Sequence, residues 1–184
     1  MRIFGMVIMA AGLASPVAAG PWFQHEFGEL RSYHKDWLAV CAERGDGACR
    51  VVQTSKDPGS AAYFDLRLAV HRIDGSPDWV VEIMDRGLPG DALTALSFEF
   101  DGEVFDLPAG AWSGGDFDYG SAVDTVTIRD PDLAFALVER MKAGNRVIVR
   151  YAPAGEGDGQ AAFSLRGATA AMNAIEARVL VRQE

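Results

Sequence analysis

Hydrophobic and polar residues alternate along short stretches of this chain, a period of two that is typical of β-strands with one buried face. The clearest stretch is 64–71, in which Phe64, Leu66, Leu68 and Val70 alternate with Asp65, Arg67, Ala69 and His71. Comparable stretches separated by turn clusters rich in Gly, Pro and Asp predict further strands at 37–41, 49–54, 79–84, 96–100, 104–107, 123–129, 146–151 and 161–165. We interpret 20–36 as an irregular lead-in with at most a short edge strand.

Two segments in the C-terminal half have a helical pattern instead. Asp130 is a favourable N-cap, Pro131 fits the first helical position and Gly144 ends the first helix. A second helix is predicted from about 168 to 177, followed by a short strand at 178–181. Short strands that outnumber helices in this way predict a mainly β domain at 20–184, an antiparallel β-sandwich or barrel-like sheet with two short α-helices.

The first 19 residues have the pattern of a secretory signal peptide. A basic start at Arg2 precedes an uncharged apolar run, and small residues follow Pro16. Val17 and Ala19 lie three residues and one residue before the expected cleavage point, which predicts cleavage after Ala19. The apolar run is shorter than the roughly 20 residues that a membrane span requires. We therefore expect a periplasmic or secreted protein with no integral membrane span after signal removal.

Charge excludes some partners. The chain carries a net charge of −9, and loss of Arg2 with the signal makes the predicted mature domain −10. An acidic domain of this kind is repelled by nucleic acid and by anionic membrane surfaces, so neither is expected as a partner.

The chain contains two cysteines, Cys41 and Cys49, an even count that oxidising compartments preserve as a disulfide. The glycines at 45 and 47 allow a tight turn between the two predicted strands that carry the cysteines. The alternatives are a redox-active pair or half of a metal site. Redox pairs are usually spaced C-x-x-C, and zinc needs two further ligands that the sequence does not offer. We favour a structural disulfide.

Segments at both ends of the predicted domain resemble the invasion-associated locus B proteins of Gram-negative bacteria. Near the N-terminus these are FG at 27–28, DWLAVC at 36–41 and the Cys49 strand with VVQ at 51–53. Near the C-terminus they are KAGNRVIV at 142–149 and FSLRGATAAM at 163–172. The resemblance implies a secreted or periplasmic β-rich protein with an N-terminal disulfide hairpin. The family supplies no agreed enzymatic activity and no catalytic residues.

The sequence contains no recognisable catalytic, metal or cofactor motif. His25, His34 and His71 lack the spacing of metal-ligand pairs, and His71 falls on the polar, solvated face of its predicted strand. No G-x-S-x-G elbow is present. We therefore expect a non-enzymatic protein without cofactor or metal that binds a protein or an envelope component.

We interpret the Gly- and Asp-rich loop at 108–121 first as an irregular hairpin loop whose Trp112 and Phe117 rings fold onto the end of the sandwich. One alternative is a recognition loop that uses Trp112, Asp116, Phe117, Asp118 and Tyr119. A calcium site is the less favoured alternative, because the loop offers two carboxylates and calcium requires six to eight oxygen ligands. Two other functions stay open. One is a hydrolase that uses carboxylates such as Asp116 and Asp118. The other is a carrier whose ligand cavity would be lined by Trp79, Phe98 and Phe100.

Overall fold

The computed structural model describes residues 20–56, 65–116, 123–153 and 157–181. The strands are β1 Phe23–Gln24, β2 Leu30–His34, β3 Trp37–Cys41, β4 Cys49–Ser55, β5 Leu66–Arg72, β6 Trp79–Asp85, β7 Leu93–Phe100, β8 Glu103–Asp106, β9 Ser113–Gly114, β10 Thr125–Ile128, β11 Arg146–Pro153 and β12 Gly159–Ser164. The helices are α1 Pro131–Ala143 and α2 Ala168–Val181. The predicted fold class, mainly antiparallel β with two helices in the C-terminal half, is confirmed. The predicted signal peptide and its cleavage point lie outside the described residues.

The larger sheet has the strand order β1-β2-β3-β4-β5-β6-β10-β9, with antiparallel neighbours. Its inner face is mainly apolar because the inward residues of the central strands β3, β4, β5, β6 and β10 are mostly aliphatic. One row across five adjacent strands has no exposed surface: Ala39, Val51, Val70, Val81 and Ile128. This row makes the inner face the floor of the hydrophobic core.

The smaller sheet has the order β12-β11-β7-β8, and it contributes the opposite side of the core. Phe163 pairs with Val147, which pairs with Phe100, and all three are buried. Helix α2 packs on β2, β3 and β4, and α1 packs on β6. The arrangement is a sandwich-like pair of open sheets, and two helices cover the rest of the core. The outer face of the larger sheet, opposite the core, lies outside it.

The two helices differ from prediction only at one end. The Asp130 side chain accepts a hydrogen bond from the Leu133 backbone N–H at 3.0 Å, a cap that stabilises α1 by about 1 kcal/mol. The predicted short strand at 178–181 is wrong, because α2 continues to Val181. Val179 lies four residues after Ile175 on the same buried face of the helix, and the Arg178 guanidinium covers the Trp22 ring at 5.7 Å.

Strand β2 was missed in the predicted lead-in at 20–36. Its inward positions include Ser32 and His34, which are buried, whereas Tyr33 on the other face is 60% exposed. Polar residues inside and an aromatic residue outside reverse the pattern that identifies a strand. The Ser32 hydroxyl is satisfied by the Gly20 carbonyl at 2.8 Å, which explains why this position tolerates burial.

The N-terminal and C-terminal segments that carry the family resemblance lie in contact with each other. The buried Trp37 ring donates its Nε1–H to the Ser164 carbonyl at 2.9 Å, and the Ser164 hydroxyl donates to Asp36 at 2.6 Å. Gly167 directly precedes α2 and has φ +93°. It lies so close to the end of β2 that an added Cβ would be 2.0 Å from the His34 carbonyl oxygen. Only glycine fits there.

Candidate functional site on the outer face of the larger sheet

The outer face of the larger sheet carries charged and apolar side chains in regular rows. One row, from β2 to β6, consists of Arg31, Val40, Arg50, His71 and Val80. The next row consists of Tyr33, Leu38, Val52, Ala69, Glu82 and, on β10, Thr127. Neighbouring rows lie about 6.7 Å apart along the strands. Arg31 and Arg50 in the first row, and Arg67 two residues before Ala69 on β5, thereby share the outer face with the apolar side chains of the second row.

Two adjoining cavities occupy this face. The first, here called the arginine groove, has a volume of about 360 Å³ and is lined by Glu29, Arg31, Tyr33, Lys35, Asp36, Trp37, Leu38, Val40, Arg50, Val52, Thr54 and Arg67. The second, here called the histidine pocket, has a volume of about 510 Å³ and is lined by Glu29, Ala42, Ala48, Arg50, Arg67, Ala69, His71, Glu82 and Asp116. Because Glu29, Arg50 and Arg67 line both, the two cavities form one continuous concave surface.

Glu29 and two arginines show how this surface holds a carboxylate. The Arg31 Nε donates to Glu29 Oε2 at 2.8 Å, and the Arg31 Nη2 contacts the same oxygen. The Arg50 Nη2 lies 3.7 Å from Glu29 Oε1, too far for a hydrogen bond. The Arg50 side chain makes no hydrogen bond within the described part of the chain, and it is 34% exposed. The Arg50 guanidinium therefore has donors directed at the groove.

A buried charge pair forms the base of the histidine pocket. The Arg67 Nη2 donates to Glu82 Oε1 at 2.6 Å, and the Glu82 side chain is only 4% exposed. A charge-assisted hydrogen bond of this length compensates part of the cost of burying Glu82. The pocket thus combines this charge pair with the alanine side chains of Ala42, Ala48 and Ala69.

His71 is buried in this pocket, so its prediction as a solvated residue was wrong. It is 5% exposed, and its Nε2 lies 3.7 Å from Glu82 Oε2. Burial, followed by the charges of three arginines, lowers the pKa of His71 to about 3, although Asp116 acts in the opposite direction. His71 is therefore neutral at neutral pH, and its contact with Glu82 is not an ion pair. The alternating pattern did not predict the burial of His71 because side chains on both faces of β5 are buried.

These groups are poorly matched to two kinds of chemistry. A group with a pKa near 3 is far from the value that suits general acid–base catalysis at neutral pH. Within the four described ranges, no cluster of three His, Cys, Asp or Glu side chains is arranged to hold a metal ion. The expectations of no enzyme activity and no cofactor stay predictions. The arrangement of arginines over an apolar floor is suited to binding.

The candidate recognition loop reaches this site through one residue. Asp116 lines the histidine pocket, whereas Trp112 packs against the hydrophobic core. Phe117, Asp118 and Tyr119 lie outside the described residues. The loop as a whole stays a prediction, but the structure places Asp116 in the same pocket as His71 and Glu82.

The proposed lining of a carrier cavity instead forms part of the packed interior. Trp79, Phe98 and Phe100 are buried in the common core, and the two phenylalanine rings stack with centroids 6.1 Å apart. The three side chains fill space between the sheets, which does not favour a ligand-carrying interior.

The predicted disulfide is present and borders the site. Cys41 on β3 and Cys49 on β4 are directly paired in register, their Cα atoms are 4.1 Å apart and both are buried. Their neighbours Ala42 and Ala48 line the histidine pocket. The disulfide faces the core while the hairpin end that it closes forms one wall of the pocket.

The arginine groove was missed because no local motif encodes it. The available signal was a set of basic residues at polar positions of separate strands, such as Arg50 and Arg67, in an otherwise acidic chain. Which strands are neighbours, and which faces coincide, depends on long-range pairing that the local pattern does not specify.

Comparison with known proteins identifies a shared fold. No family model and no curated protein matches the sequence. Among solved structures, the crystal structure of invasion associated protein B from Bartonella henselae is similar, with a TM-score of 0.56 and 14% sequence identity. The match covers 84% of this chain and 99% of that chain. The similarity to this solved structure shows a shared fold.

Among the described residues no helix has the length and apolar character needed to cross a membrane.

Proposed function

We propose that this chain is an exported, non-enzymatic binding protein of the invasion-associated locus B kind, which binds a protein or envelope partner. Binding occurs on the outer face of the larger sheet. The observation that carries the proposal is the continuous concave surface formed by the arginine groove and the histidine pocket. The opposite face of the same sheet is covered by core side chains.

The composition of the surface supports binding. Exposed sites on most proteins carry scattered apolar residues, but here Tyr33, Leu38 and Val52 adjoin in one row between arginines. Tyr and Arg are the residue types that most often dominate binding energy at protein interfaces. The similarity to invasion associated protein B, the predicted signal peptide and the disulfide favour a site of action outside the cytoplasm.

Site-specific photo-crosslinking tests this proposal. A photoreactive amino acid replaces Val52 on the floor of the groove in the full chain, expressed in a Gram-negative host. The matched control replaces Val104, which is 54% exposed on β8 of the smaller sheet. We expect a crosslinked species of defined mass from position 52 and none from position 104. Crosslinking from neither position, or equally from both, would overturn the assignment of this face.

One observation favours a hydrolase as a second candidate. Asp116 lines the histidine pocket together with two other carboxylates, those of Glu29 and Glu82, and a pair of carboxylates facing a cavity is the minimum set for acid–base hydrolysis. The test is hydrolysis of a panel of glycoside and ester substrates by the wild-type domain and by Asp116→Asn. Turnover that the substitution abolishes would establish the enzyme, and absence of turnover across the panel would leave the binding function as the account of the pocket.

A further inference from the structure

The charge of the arginine groove is opposite to that of the whole chain. Four cations line it, Arg31, Lys35, Arg50 and Arg67, against the two carboxylates of Glu29 and Asp36. The chain as a whole has a net charge of −9. Asp36 is engaged by Arg166 at 3.2 Å and by the Ser164 hydroxyl at 2.6 Å. Arg67 pairs with Glu82 and Arg31 with Glu29, so the excess positive charge of the groove lies on Arg50 and Lys35.

Two of these cations have their donors available. Arg50 makes only the 3.7 Å contact with Glu29, and Lys35 makes no hydrogen bond or ion pair within the described ranges. Lys35 lies in the turn between β2 and β3, on the opposite side of the Tyr33–Leu38–Val52 row from Arg50, and it is exposed. Leu38 and Val52 lie between these two ends of the groove. The groove thus presents a cation, an apolar floor and a second cation.

The dimensions of the groove match a short extended peptide. Its lining extends across four strands, from β2 to β5, which corresponds to about 14 Å at the usual spacing between strands. An extended chain of four or five residues covers that length at about 3.3 Å per residue. Guanidinium groups bind carboxylates in particular, through parallel N–H donors, and Glu29 already occupies one such position in the groove.

Resting on the proposed function, we propose that the arginine groove binds an acidic peptide segment of a protein partner. The segment has an apolar residue at its centre and carboxylates on either side. The apolar side chain lies on Leu38 and Val52, and the carboxylates take the free donors of Arg50 and Lys35. Glu29, held by Arg31, remains in place as a neighbouring carboxylate.

Peptide titration tests this proposal directly. The probe is a pentapeptide of sequence Glu-Glu-Leu-Glu-Glu, titrated into the isotopically labelled domain 20–184 and followed by heteronuclear NMR. Its uncharged counterpart is Gln-Gln-Leu-Gln-Gln. We expect shifts confined to β2–β5 with the acidic probe, affinity that falls as salt rises, and at least about tenfold weaker binding of the uncharged probe.

Two substitutions that each remove one positive charge provide the matched comparison. Arg50→Gln is expected to weaken binding about tenfold. Its loss leaves Glu29 held by Arg31, so the fold is retained. Arg146→Gln removes the same charge from an exposed position on β11 of the smaller sheet and is expected to leave the affinity within about twofold. Equal effects of the two substitutions would show that only net charge matters and would overturn the proposal.

A vesicle-binding experiment tests whether the groove binds an anionic lipid surface instead of an acidic peptide. Vesicles of phosphatidylcholine containing phosphatidylglycerol are sedimented with the wild-type domain and with Arg50→Gln. Arg50-dependent vesicle binding without peptide binding would replace the peptide with an anionic lipid surface. If position 52 crosslinks to a partner while the acidic peptide fails to bind, the peptide assignment alone is wrong. If neither occurs, the binding face itself is wrong.

Discussion

Replacement of Gly167 by Ala should destabilise the fold more than any comparable glycine replacement in open space. Gly167 has φ +93°, and its added Cβ would lie 2.0 Å from the His34 carbonyl oxygen, a backbone atom that has no side-chain freedom. The matched control is Gly102→Ala, since Gly102 has φ +98° and no heavy atom within 4 Å of the added Cβ. Both substitutions incur the left-handed backbone cost of about 1–2 kcal/mol. Only Gly167→Ala adds a clash.

The clash separates the start of α2 from the turn after β2, and the contacts across that junction define its cost. The Asp36 N–H to Arg166 carbonyl bond at 3.3 Å and the Trp37 Nε1 to Ser164 bond at 2.9 Å are the most directly affected. At about 0.5–1.5 kcal/mol for each bond, the additional loss is about 1–3 kcal/mol. We therefore expect Gly167→Ala to lose about 2–5 kcal/mol and Gly102→Ala about 1–2 kcal/mol.

Urea denaturation of the domain 20–184, followed by tryptophan fluorescence, measures both free energies of unfolding. Trp37 lies at the junction and is fully buried, so its emission reports the loss of this packing. Equal destabilisation by the two substitutions would refute the reasoning, because it would show that the contact between Gly167 and His34 adjusts to the added Cβ without loss of stability. A larger loss for Gly102→Ala would refute it more strongly.

Three further predictions follow from the disulfide, from His71 and from the signal. The double substitution Cys41→Ala with Cys49→Ala should cost about 2–3 kcal/mol from the loss of a short closed loop, measured by thermal unfolding; a domain as stable as the wild type would contradict the structural role. Because the folded pKa of His71 is lowered to about 3, its neutral form stabilises the fold above pH 6.5 and this contribution is lost as pH falls toward 3. The free energy of unfolding should fall by about 2 kcal/mol between pH 6.5 and pH 5, whereas His71→Gln should give a flatter profile; parallel profiles would contradict the burial of a neutral imidazole. Mass spectrometry of the exported chain should show an N-terminus at Gly20 after cleavage behind Ala19, and an intact N-terminus would contradict the signal prediction.

The fold class was predictable because its main signals are local. Alternation identified most strands of both sheets, and the Asp130 cap with Pro131 identified the start of α1, because each depends on residues a few positions apart. The local signal failed where tertiary contacts outweighed it. Residues 178–181 have a β-branched pattern, but the helix continues because Val179 fits the buried surface under α2.

The site was less predictable, for a different physical reason. Alternation assigns one face of a strand to the core and the other to water, and His71 was placed on the wet side. In the structure that second face of β5 is also buried: Ala69 and His71 are at most 5% exposed, and so is Glu82 beside them on β6. A strand in the middle of an eight-stranded sheet can be buried on both faces, and the pattern of its own residues does not show what covers the second face.

The position of the disulfide connects the stability of the domain with the proposed binding surface. Cys41 and Cys49 face the core, while Ala42, directly after β3, and Ala48, directly before β4, line the histidine pocket. Arg50 follows Cys49 on β4 and lies where the pocket and the arginine groove meet. Cross-linking the hairpin end therefore limits the movement of the Arg50 backbone relative to β3. A guanidinium that binds carboxylates through directed donors depends on such a fixed position, since misplaced donors lose hydrogen-bond energy steeply with angle. If the proposed binding function holds, the disulfide contributes to it through the position of Arg50 as well as through the stability of the domain.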